Sequence, residues 1–152
     1  MRPEKAGSAT DTRAADSNFD AWRALQEATD TKRANLIADI VGHPHDSITV
    51  EELDYMNPDL SDDAIRRHLD TLQSAGVVAE RALDPGERRR DYPYKFYGVT
   101  GEARALFDRN GLFPEEAWTR QYRAVEKTPR IRDVEAMPRP SERDGSELSS
   151  DR

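Results

Sequence analysis

Apolar residues recur along this chain at helical spacing, then at strand spacing, then at helical spacing again. Phe19, Trp22 and Leu25 in "FDAWRALQEATD" predict a first helix over about 19–29. Leu36, Ile37, Ile40 and Val41 predict a second over about 32–42, with Gly42 and Pro44 as stop signals. "TVEE" at 49–52 has the spacing of a capping box, Thr49 capping and Glu52 reaching back, and predicts a short helix that ends before Asn57-Pro58. Ser61 then caps a fourth helix, over about 61–75. Asp62 and Asp63 suit its positive end, Ile65, Leu69 and Leu72 form its buried stripe, and Gly76 supplies a left-handed stop.

The period shortens from Val77 to Leu83, "DPGERRRD" provides turn residues, and Tyr92 to Val99 resumes as a second strand. This predicts a β-hairpin with an arginine-bearing tip. Thr100 opens another helix, which carries Ala103, Leu106 and Phe107 inward until Asn110-Gly111. Pro114, Glu115 and Glu116 open a last helix within 113–134, with Trp118, Tyr122 and Val125 on one side. The fold class is therefore mainly α with a small β-hairpin, in one domain.

Residues 1–18 and 135–152 hold almost no large apolar side chains, so both ends are expected to be disordered tails. The absence of cysteine excludes disulfides, thiolate metal sites and cysteine nucleophiles. No apolar run approaches a membrane span and the N-terminus lacks a signal-peptide layout, which predicts a cytoplasmic protein that does not engage membranes. Nothing in the chain follows a serine-histidine-acid order, a phosphate loop or a dinucleotide fingerprint, so no enzyme and no cofactor are expected. His43, His45 and Asp46 crowd a loop around a proline without a standard ligand spacing; they are expected to be solvated, and no metal is assigned.

Charge changes the picture at one place. The chain has 30 acidic residues against 23 basic ones, and only four of the latter are lysine. That balance resembles the acidic proteomes of salt-loving archaea, while a GC-rich genome would also favour arginine over lysine. Against this background the segment from Arg81 to Lys95 carries five positive side chains and three negative.

Two helices joined by a tight turn and followed by a hairpin form the layout of a winged helix-turn-helix, whose second helix enters the DNA major groove. "LSDDAIRRHLDTLQSAGVV", residues 60–78, resembles the recognition-helix segment of ArsR-type winged-helix transcriptional regulators, and "FYGVTGEARALF" continues the likeness more loosely. The resemblance implies a winged helix over 19–112 with a C-terminal helix at 113–134, and a sequence-specific DNA-binding regulator. The metal-sensing cysteines of many ArsR-type proteins have no counterpart in "VEELDYMN", so that sensing mode does not carry over and no effector is assigned.

Helix geometry places Ser61, Asp62, Asp63, Arg66 and Arg67 on the exposed side of the recognition helix. Either arginine suits guanine O6 and N7, and the acids suit a cytosine amino group, although capping accounts for them more simply. Arg81, Arg88, Arg89, Arg90 and Lys95 are the expected wing contacts to the backbone or minor groove of double-stranded DNA. In ArsR-type proteins the first and last helices build a two-fold dimer, which implies an interface from Phe19, Trp22, Leu25, Trp118, Tyr122 and Val125. The competing role for those aromatics is completion of the monomer core. A winged helix serving as a protein-interaction module in a transcription or replication assembly is the alternative function.

Overall fold

A computed structural model of the chain describes residues 19–140. The tail expected at 1–18, and residues 141–152 of the tail expected at 135–152, lie outside the described residues. Four helices come first: α1 (Ala21–Ala28), α2 (Thr31–Gly42), α3 (Val50–Met56) and α4 (Asp62–Ser74). The antiparallel hairpin of β1 (Val78–Ala82) and β2 (Lys95–Val99) follows, then α5 (Gly101–Arg109), α6 (Glu115–Ala124) and α7 (Pro129–Glu135).

Short polar side chains set the helix starts. Asp20, Asp30, Ser61, Thr100 and Thr128 each accept a hydrogen bond from the backbone amide three residues on. The expected capping box is present in full: Thr49 Oγ1 accepts from the Glu52 amide at 3.1 Å, and Glu52 Oε1 accepts from the Thr49 amide at 3.0 Å. α4 ends as expected at Gly76, whose φ is 77°. Its amide donates to the Gln73 carbonyl and the Val77 amide to the Leu72 carbonyl, the paired bonds of a Schellman stop.

The main core lies among α2, α3, α4 and α5, with Leu36, Ile37, Ile40, Leu53, Ile65, Leu69, Leu72 and Phe107 buried together. Ile48 exchanges backbone hydrogen bonds with Tyr97, so the segment before α3 runs alongside β2. α6 lies against α2 so closely that a Cβ on Gly42 would meet the Trp118 carbonyl oxygen at 2.4 Å. A second, smaller core joins Leu83 and Phe96 of the hairpin to Val134 and Met137 of the C-terminal segment.

Three expectations change. The helix read within 113–134 is two helices, because Pro129 cannot sit inside a helix and Thr128 is extended, capping α7 instead. The tail expected from 135 is packed as far as the described residues reach: Met137 is only 3% exposed, and Arg139 inserts beneath α3. His43, read as a solvated loop residue, is buried at the end of α2, where Glu52 accepts its hydrogen bond.

Candidate nucleic-acid interface

α4 presents a sharply divided surface. Ile65, Leu69 and Leu72 are buried, while Ser61, Asp62, Asp63, Arg66 and Arg67 are exposed, as the 3.6-residue period requires. Ser61 Oγ is engaged in capping, accepting from the Ala64 amide at 3.1 Å. Arg66 and Arg67 have no ion pair among the described residues. On the inner side His68 Nδ1 accepts from Arg33 Nη1 at 3.2 Å, and Arg33 also pairs with Glu27 at 3.0 Å. One guanidinium thus links α1, α2 and α4 and fixes the orientation of α4.

The three arginines at the hairpin tip do different jobs. Arg88 donates from Nε to the Leu83 carbonyl at 2.9 Å and stacks over Tyr94 at 3.8 Å, closing the turn. Arg89 stacks over Tyr92 at 3.8 Å and lies 3.9 Å from Asp133 of α7. Arg90 is exposed and has no hydrogen bond or ion pair among the described residues. Lys95 sits 3.9 Å from Glu80 across the hairpin, and Arg81 is exposed on β1.

Sequence reasoning missed the residues that brace this hairpin. Arg130 of α7 forms a bidentate pair with Glu51 at 2.8 and 3.0 Å, donates to the Asp91 carbonyl, and stacks on the Tyr92 ring at 4.1 Å. The Tyr92 hydroxyl donates to Asp133. Arg130 carried no local signal, because its partners lie 39 and 79 residues away.

Between α3, the start of α4 and β2 runs a groove of about 570 Å³. Arg66, Lys95 and Arg130 line it, and Glu51, Asp54, Asp62 and Asp91 line it as well. Slight desolvation and the neighbouring Asp62 and Glu51 raise the carboxyl of exposed Asp54 above its ordinary value. The carboxylates Asp62 and Asp63 lie at the start of α4, and the arginines Arg66 and Arg67 lie further along it.

The expected interface aromatics separate. Trp22 is 70% exposed, and Val125 is exposed at the end of α6. Phe19, Leu25 and Trp118 are half-buried against the core. Tyr122 is part of the monomer core, its ring 5.3 Å from that of His43.

The chain is similar to a solved protein with a GntR superfamily winged-helix-turn-helix domain from Halomicrobium mukohataei. The likeness has a TM-score of 0.73 at 26% identity and covers 95% of both chains. The fold is a winged helix-turn-helix. In its terms α3 and α4 are the helix-turn-helix pair, α4 the second helix of that pair and β1–β2 the wing. No protein-family model matches the chain, and none of the curated proteins does. Among the described residues no helix of this winged helix is long and apolar enough to cross a membrane.

One polar cluster lies away from the wing tip. His43, Glu52 and Glu135 bring three ligand atoms within 4.8 Å of one another. Arg139 already provides the cation there, with Nη2 3.0 Å from Glu52 Oε1 and 2.9 Å from His43 Nε2. His43 Nδ1 accepts the His45 amide, so Nε2 carries the proton that goes to Glu52 Oε2 at 2.6 Å. A metal at Nε2 would have to displace both that proton and the guanidinium, so the cluster reads as a structural clasp.

Proposed function

We propose that this winged helix is a sequence-specific DNA-binding transcriptional regulator that acts as a homodimer. The observation that carries the reading is the placement of Arg66 and Lys95 on one groove, which joins the recognition helix and the wing into a single surface. α4 enters the major groove with Arg66 and Arg67 toward base edges, while Arg90 and Arg81 meet backbone phosphates or a narrow minor groove. Exposed Trp22 and the half-buried Phe19, Leu25 and Trp118 supply the two-fold contact, with Val125 at its edge; Tyr122 supports that surface from inside.

The ArsR-type assignment within the winged helices rests on residues 60–78 and on "FYGVTGEARALF". The similar solved structure bears the GntR superfamily description, so it supports the regulator fold and leaves the subtype to those motifs. A salt-rich cytoplasm is the setting that the acidic, lysine-poor composition supports. At about 1 M salt the screening length is near 3 Å, so close fitted contacts must carry the affinity there.

The acidic lining of the groove favours a second reading, a winged helix that docks a basic protein partner. Selection from a random-sequence duplex library at about 0.2 M and about 2 M salt separates the two. An enriched palindrome with half-sites about one helical turn apart is expected for the dimeric regulator. Enrichment of no motif at either salt would sink it in favour of the docking module.

A further inference from the structure

A separate cavity of about 280 Å³ lies between α2 and α6, closed at one end by the C-terminus of α3. Asn35, Asn57 and Gln121 give it amide groups, Met56 and Trp118 give it apolar and aromatic wall, and Asp39 is the one charged side chain that lines it. Asn57 Nδ2 donates to Asp39 Oδ2 at 2.8 Å. No cation lies within ion-pair distance of Asp39 among the described residues. Burial pushes its carboxyl up to about 6, so it is still ionised at neutral pH.

The contrast between half-buried Asp39 and fully buried Glu52 is informative. Glu52 has Arg139, a hydrogen bond from His43 and the capping bonds of α3, whereas Asp39 has a single neutral donor. A desolvated carboxylate without a cation is costly and attracts one. Trp118 and Tyr122 add aromatic walls, which favour an organic cation. One carboxylate among amides and rings is a poor donor set for a divalent metal, which prefers six or more oxygens. The volume falls at the small end for ligand sites and fits a compact molecule.

We infer that this cavity binds a small organic cation, a primary ammonium on a short carbon stem, with the ammonium on Asp39 and the stem against Met56 and Trp118. Occupancy acts on the recognition helix through Asn57, which is the C-cap of α3, donates to the Leu53 carbonyl at 2.9 Å, and precedes the α4 cap Ser61 by one short turn. This regulatory half rests on the DNA-binding reading; the binding half does not.

The test is titration of the full-length, ¹⁵N-labelled chain with n-propylammonium and with putrescine, using sodium chloride and neutral propionamide as controls. Saturable shifts at the Asn57 side-chain amide and the Trp118 indole N–H are expected for the ammonium compounds alone. Affinity should fall about tenfold between pH 7.5 and pH 5, as Asp39 takes up its proton. Asp39→Asn should weaken binding at least about tenfold, the scale of one lost charge-assisted hydrogen bond. Gln121→Lys, a change at an exposed position, should abolish binding by tethering an ammonium beside Asp39. Failure to saturate, equal shifts with either control, or unchanged binding in both variants would overturn the site. Saturable binding by a chain that selects no DNA supports the site and removes the DNA-binding reading, so the two fail separately. Saturable binding that leaves the affinity for a selected duplex unchanged overturns the regulatory half.

Discussion

Arg139 donates from Nη2 to Glu52 Oε1 at 3.0 Å, so a residue near the C-terminal end of the described chain closes the capping box of the first helix of the helix-turn-helix. The same guanidinium donates to the Ser47 carbonyl and to the carbonyls that end α7. Arg139→Met should therefore leave Glu52 buried without its cation and cost about 3–5 kcal/mol in urea unfolding. Adding Glu52→Gln to it should cost less than the sum of the two single changes, because the second change removes the orphaned charge.

Buried Glu52 and half-buried Asp39 give opposite pH dependences. Burial alone would raise Glu52, but the hydrogen bond from His43 and the charge of Arg139 outweigh it and hold the carboxyl below its ordinary value. Its stabilisation is complete above about pH 4.5, the unfolded value, and is lost as pH falls through the folded one. Asp39 is raised from 3.8 to about 6, so its contribution is present at low pH and is lost as pH rises through 6. Asp39→Asn should then stabilise the protein by about 1–3 kcal/mol at pH 7.5 and by almost nothing at pH 4, read from urea midpoints at each pH.

The three tip arginines should separate in function. Arg90→Glu is expected to weaken binding to a selected duplex and lower the salt slope by about one, with an unchanged melting temperature. Arg88→Ala should weaken binding and also lower the melting temperature, because it frees the Leu83 carbonyl and uncovers Tyr94. Equal thermal effects from the two changes would contradict the division of labour.

Gly42 permits the contact between α2 and α6. Gly42→Ala places a methyl 2.4 Å from the Trp118 carbonyl oxygen and should cost at least about 1–3 kcal/mol by forcing the helices apart. Gly86→Ala, at the wing tip with nothing within 4 Å of the added carbon, is the matched control and should be close to neutral in the same thermal melt.

Trp22 tests the assembly. Trp22→Glu should shift a dimer to a monomer in sedimentation velocity while the circular dichroism spectrum stays the same, because Trp22 is 70% exposed in the single chain. An unchanged sedimentation coefficient would move the dimer contact elsewhere.

The sequence by itself determined the elements that short-range forces build. Each cap lies three residues from the amide it satisfies, the stripe on α4 repeats with the helix, and Gly76 and Gly111 stop helices where their positive φ is required. The break at Thr128-Pro129 goes unread, because the amphipathic run over 113–134 looks like one helix although proline excludes the helix interior. Tertiary structure alone decided which charges are buried and which aromatics face out. Glu52 and Arg139 are 87 residues apart, Arg130 and Glu51 are 79, and no local pattern marks either pair. The same holds for Trp22 and Tyr122, which share a hydrophobic character in the sequence; packing against His43 took Tyr122 inside and left Trp22 in solvent. Hydrogen bonding and periodicity act over a few residues and leave their trace in order. Desolvation of charge depends on the whole fold and leaves its trace only in space.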